Sequence, residues 1–65
     1  MKIRIKNYNG ELPSYLTVGK EYIVHQTFKN RVINRITNDL GHLISINLNH
    51  GCAYLNGGSW EVVSE

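Results

Sequence analysis

A chain of 65 residues has room for one small hydrophobic core and no second domain, because a domain of this size removes only about 60% of its unfolded surface from water. The apolar residues, 42% of the chain, are needed for that core, so size and composition favour binding at a surface over catalysis in a pocket. The formal charge of +2 is too small to attract a polyanion to the whole molecule, and the single cysteine excludes an internal disulfide and points to a reducing cytoplasm.

Chain order supports a succession of short strands. Met1 to Lys6 alternates, with Met1, Ile3 and Ile5 on one face and Lys2, Arg4 and Lys6 on the other, the pattern of a half-buried strand. Its positive charge resembles the start of a secretory signal, but Asn7, Tyr8, Asn9 and Gly10 follow where an apolar run would be needed, so no secretion signal is expected. Nor is any segment apolar for long enough to predict a membrane span. A polar loop comes next, in which Pro13 suits the first position of a single helical turn over Leu12 to Thr17.

Residues 20–28 form the second predicted strand, with Tyr22, Val24 and Phe28 on one side. Lys29-Asn30 turns the chain into a third, Arg31 to Thr37, where Arg31 and Arg35 share a face with Ile33. After the turn Asn38-Asp39-Leu40-Gly41, Ile44, Ile46 and Leu48 alternate with Ser45, Asn47 and Asn49. Leu40, Leu43, Ile44 and Leu48 also match one helical face, yet Gly41 and the β-branched isoleucines favour a strand. The closing segment CAYLNGGSWEVV reads as a short strand Cys52 to Leu55, a reversal in which Gly57 and Gly58 supply positive φ, and a last strand from Trp60.

So few short strands cannot fill two sheets, and an open meander leaves two bare edges. The expected fold is therefore all-β: a small five-stranded SH3-like barrel, residues 1–65, built as an antiparallel meander. An OB-type barrel lacks a candidate for its helix.

No motif in the chain names a reaction. The glycine pair 57–58 has neither the lysine nor the following helix of a phosphate-binding loop. His25, His42, His50 and Cys52 show no metal-ligand spacing, and a nucleophile made of Cys52 and His50 would want a third orienting group. The reading is thus no catalytic residue, no metal and no cofactor, with Cys52 and Trp60 serving the core.

Charge is distributed unevenly. All seven basic side chains lie in residues 1–35 against Glu11 and Glu21, a local +5, whereas residues 36–65 carry only Asp39, Glu61 and Glu65, a local −3. Lys2, Arg4, Lys6, Lys29, Arg31 and Arg35 would make a phosphate-contacting stripe if their strands lie side by side, with a tyrosine to stack on bases. Tyr8, Tyr15, Arg31 and Arg35 are alternatively the aromatic and guanidinium anchors of a protein interface.

Leu16-Thr17-Val18-Gly19-Lys20-Glu21-Tyr22, the turn Asn38-Asp39-Leu40-Gly41 and the closing CAYLNGGSWEVV together resemble the small SH3-like accessory proteins of tailed bacteriophages and prophages. The resemblance runs from about residue 1 to residue 63 and carries no shared activity. It implies a short accessory protein of the bacterial host cytoplasm. The reading of the chain as a whole is a non-enzymatic protein that occludes or recruits a host protein, as a monomer or homodimer and without a membrane partner. The Ala-Leu-Tyr-Asp-Tyr segment of proline-binding SH3 domains has no equivalent here, which argues against proline-peptide recognition. Also missing is the glycine-spaced basic loop of ribosomal or transcription-factor SH3-like domains, which weighs against the nucleic-acid alternative.

Overall fold

In the computed structural model, which describes residues 1–28, 30, 32–49 and 51–65, the chain forms five strands: β1 (Lys2–Asn7), β2 (Tyr22–Phe28), β3 (Ile33–Thr37), β4 (Leu43–Asn47) and β5 (Ser59–Ser64). A 3-10 helix, Ala53–Leu55, precedes β5. All pairings are antiparallel, in the order β4-β3-β2-β1-β5. The first four strands are a meander, and β5 returns to the free side of β1.

The alternation in β1 acts as expected: Ile3 and Ile5 are buried, while Lys2 and Lys6 face solvent. The other strands contribute Tyr22, Ile36, Ile46 and Trp60 to the same cluster, joined by Leu16 from the long loop and Leu55 from the 3-10 helix. Each fully buried aliphatic side chain contributes about 1.5–3 kcal/mol over its exposed state. Among the described residues three polar side chains share the interior, Asn34, Asn38 and Ser59; Asn34 Oδ1 accepts from Thr27 Oγ1 at 3.1 Å. That bond offsets the desolvation of the amide.

The sheet curves strongly without closing into a barrel. Its ends approach where the Trp60 N–H donates to the Leu48 carbonyl at 3.3 Å, and no β4–β5 ladder develops from that bond among the described residues. A bulge between Val24 and Gln26 bends β2 and lets it serve both halves of the sheet.

Four local expectations change. The bulge turns Phe28 to the outer face beside Arg35, away from the side of Tyr22 and Val24. Cys52 to Leu55 is not a strand: Cys52 makes an isolated bridge to Gly58, and the following residues wind into the 3-10 helix. The segment 12–17 holds a tight turn, with the Leu16 N–H donating to the Pro13 carbonyl, in place of a helical turn. Positive φ in the last reversal falls on Asn56 (54°) and Gly57 (95°), not on Gly58. Gly58 is required for a different reason. A Cβ there would overlap the Asn7 carbonyl and stand 2.8 Å from Tyr8 Cα.

Candidate partner-binding surface

The loop of residues 8–21 carries two of the predicted anchors, and it is tied down at both ends. At its start, the Asn9 N–H donates to the Leu55 carbonyl at 3.1 Å, and Asn9 Nδ2 donates to the Asn56 carbonyl at 3.1 Å. Asn56 reciprocates, its Nδ2 donating to the carbonyls of Asn9 (2.6 Å) and Glu11 (3.0 Å). The left-handed backbone of Asn56 aims its amide at the loop, a conformation that asparagine tolerates better than most residues. Bare backbone at Gly58 then allows the two segments to touch.

The far end of the loop is fastened to the turn between β3 and β4. Asp39 accepts from Thr17 Oγ1 at 2.6 Å, from Lys20 Nζ at 2.6 Å and from Tyr22 Oη at 3.0 Å. Tyr22 Oη in turn accepts the Thr17 N–H at 2.8 Å, and the Asp39 N–H donates to the Tyr15 carbonyl at 2.9 Å. The Lys20 ammonium and then the Thr17 hydroxyl hold the Asp39 carboxyl below its usual range. Asp39 holds the lysine above its own ordinary value, while burial chiefly pushes the Tyr22 phenol up.

Between these fastenings, Tyr15 meets Tyr54 of the 3-10 helix edge to face, with ring centroids 6.3 Å apart. Both rings are half-buried against the core cluster, and Tyr8 is 44% exposed at the loop's fastened start. Three tyrosines thus stand on one loop–helix assembly whose backbone is held by hydrogen bonds. Tyr54 escaped the sequence reading because CAYL has strand composition, and its partner lies far away in the chain.

Arg35 does not join this surface. It stands on the outer face of β3, its guanidinium 5.5 Å from the Phe28 ring centroid, whereas Tyr15 and Tyr54 pack on the core side. Arg31, Lys29 and His50 lie outside the described residues. Along β1, Arg4 Nε donates to Glu61 Oε2 at 2.9 Å, so β5 brings a carboxylate into the predicted basic stripe. Lys2 and Lys6 flank that pair on exposed positions.

The remaining reactive groups have local duties. Cys52 is buried, and its Sγ accepts from Trp60 Nε1 at 3.3 Å, which orients the indole within the core. His25 shares a hydrogen bond of 2.7 Å with Thr37 Oγ1 across the β2 bulge. Among the described residues no three His, Cys, Asp or Glu side chains converge as metal ligands. No helix among them is long and apolar enough to cross a membrane. Comparison with family models, curated proteins and solved structures finds no match to this chain.

Proposed function

We propose that this chain is a non-enzymatic protein-binding module that docks its partner on the surface formed by Tyr8, Tyr15 and Tyr54. The observation that carries this reading is the edge-to-face pair Tyr15–Tyr54 on a loop fastened at both ends. Aromatic anchors that are already ordered lose little conformational entropy on binding, so more of their burial appears as affinity. The resemblance to phage accessory proteins supplies the setting: a host protein in the bacterial cytoplasm, occluded or recruited by a small ligand-like domain. Arg35 would serve only a partner large enough to reach round to the outer face of β3.

Affinity capture from bacterial lysate, followed by titration of the purified captured protein, tests the assignment. Alanine at Tyr8 or Tyr54 should weaken binding by about 30-fold, the effect of losing a hot spot of about 2 kcal/mol. Unchanged affinity in both variants, with the fold intact by NMR, would remove this surface from the mechanism.

A nucleic-acid reading keeps one supporting observation, the exposed Lys2 and Lys6 on the outer face of β1. It predicts shifts at Lys2, Arg4 and Lys6 when the labelled protein is titrated with mixed single- and double-stranded oligonucleotides. Those shifts should vanish as salt is raised, with a log–log affinity slope of about 0.7–0.9 per phosphate contacted. The Arg4–Glu61 pair opposes this reading, since the arginine would have to exchange its carboxylate for a phosphate.

A further inference from the structure

The hydrogen-bond phase of the β3–β4 hairpin determines which groups of β4 remain open. At its two ends the Asn38 N–H donates to the His42 carbonyl and the Leu48 N–H donates to the Val32 carbonyl. Bonded pairs recur every second residue in an antiparallel ladder, so the register Ile36↔Ile44 and Asn34↔Ile46 points the backbone groups of Ile44 and Ile46 at β3. Those of Leu43, Ser45 and Asn47 consequently point away from it. Among the described residues no backbone group pairs with them.

Sheet edges are commonly protected by lysine, proline, a bulge or a covering segment. β4 itself carries no lysine, proline or bulge, although the 3-10 helix contacts it and Trp60 takes the Leu48 carbonyl just past its end. Residues 43–49, Leu-Ile-Ser-Ile-Asn-Leu-Asn, contain no charge and no proline, and the β3–β4 ladder runs without a bulge. Leu43 is 58% exposed on the outer face, and Ile44 is only partly covered on the inner one.

We propose that β4 is a self-association edge, pairing antiparallel with β4 of a second copy about a twofold axis at Ser45. A strand whose open groups belong to alternate residues 43, 45 and 47 is self-complementary in that register: Ser45 meets its own symmetry mate and Leu43 meets Asn47. Each such pair exchanges two backbone bonds. The inner-face neighbours become Ile44 and Ile46 of opposite copies, which extends the core across the axis. No charge on β4 faces its like. Arg35, opposite Ser45 on the neighbouring strand, lies one strand further in, so its symmetry mate is about 14 Å away across three strand spacings, beyond the screening length of about 8 Å at physiological salt.

An edge of five residues is about 17 Å long and buries less than a standard interface, so dimerisation is expected to be weak and concentration-dependent. Sedimentation equilibrium from low micromolar to millimolar protein provides the test. The mass should rise from 7.4 kDa toward twice that value, and the Leu43, Ser45 and Asn47 amides should gain exchange protection in parallel. Ser45→Pro deletes an outward N–H without touching the bonds to β3, and Ser45→Lys places a charge on the axis. Both variants should remain at 7.4 kDa throughout with the wild-type far-UV spectrum, Ser45→Lys guarding against a proline that disturbs the strand. Wild-type protein that stays monomeric at millimolar concentration, or a folded Ser45→Lys that dimerises like wild type, would overturn the proposal. Tyr8→Ala tests the tyrosine surface separately, because Tyr8 stands on the loop and not on β4 or on the 3-10 helix that contacts it.

Discussion

The two ends of the loop of residues 8–21 are fastened by different chemistry. Neutral amides and one close backbone approach hold its start, through Asn9, Asn56 and Gly58. A carboxylate holds its end, with Asp39 gathering a hydroxyl, an ammonium and a phenol. The first fastening is steric and insensitive to pH and salt. The second is electrostatic and reversible, although both position the same tyrosines. A loop held in both ways can keep its start in register while its end loosens.

The largest effect should come from Gly58→Ala. The added methyl meets backbone atoms of Asn7 and Tyr8, which cannot rotate away, so a destabilisation of about 3 kcal/mol or more is expected in urea unfolding. A near-neutral result would show that the contact between the loop start and the last reversal is looser than the structure places it.

Asn56 separates conformation from hydrogen bonding. Asn56→Gly keeps the left-handed backbone and loses the amide bonds, at about 1 kcal/mol, while Asn56→Ala adds a further 1–2 kcal/mol or so of left-handed strain. Equal melting temperatures for the two variants would mean that the backbone of Asn56 carries no cost.

At the other fastening, Asp39→Asn should cost about 1–2 kcal/mol near neutral pH. Because the native carboxyl is held below its ordinary value of 3.8, the folded state binds that proton less readily than the unfolded state does. The Asp39 contribution is therefore complete above the unfolded value and disappears as pH falls through the lower native one. The difference between wild type and Asp39→Asn should shrink along that acid limb, whereas the difference between wild type and Asn56→Gly should persist. If both differences titrate alike, the contrast between the two fastenings fails.

The smallest effect belongs to Glu61→Gln. Its ion pair with Arg4 is about two-fifths exposed on both sides, so the cost should be about 0.5 kcal/mol or less and fall further with salt. The same variant exposes Arg4 for phosphate. Tighter oligonucleotide binding by Glu61→Gln would favour the nucleic-acid reading, and unchanged binding would favour the tyrosine surface.

Legibility from sequence followed the range of the forces involved. In β1 the alternation of Ile3 and Ile5 with Lys2 and Lys6 correctly announced both faces, because strand periodicity is a local property. Gly41 at φ 83° sits in the turn that Asn38 to Gly41 predicted, again a local matter of steric tolerance. Cys52 to Leu55 misled for the complementary reason. Its composition suits a strand, but the Leu55 carbonyl is claimed by Asn9 and the chain must fold tightly to present it. Of the binding candidates, Tyr8 and Tyr15 occupy the fastened loop as their polar neighbours suggested. Arg35 went to the opposite face because β3 buries its even-numbered side chains Asn34 and Ile36.

Strand order in the meander, most of the inward faces and the position of most turns were determined by the sequence alone, through residue-to-residue patterns of shape and polarity. Tertiary structure decided the rest: that β5 returns beside β1, that Glu61 meets Arg4, that Asp39 gathers Thr17, Lys20 and Tyr22, and that Tyr15 meets Tyr54. These contacts join residues 17 to 57 positions apart, and such pairs leave no periodic trace in either segment. Their geometry arises only when the curved sheet brings remote segments together, and at that point the cost of closing the intervening loops is met by burial of the common core.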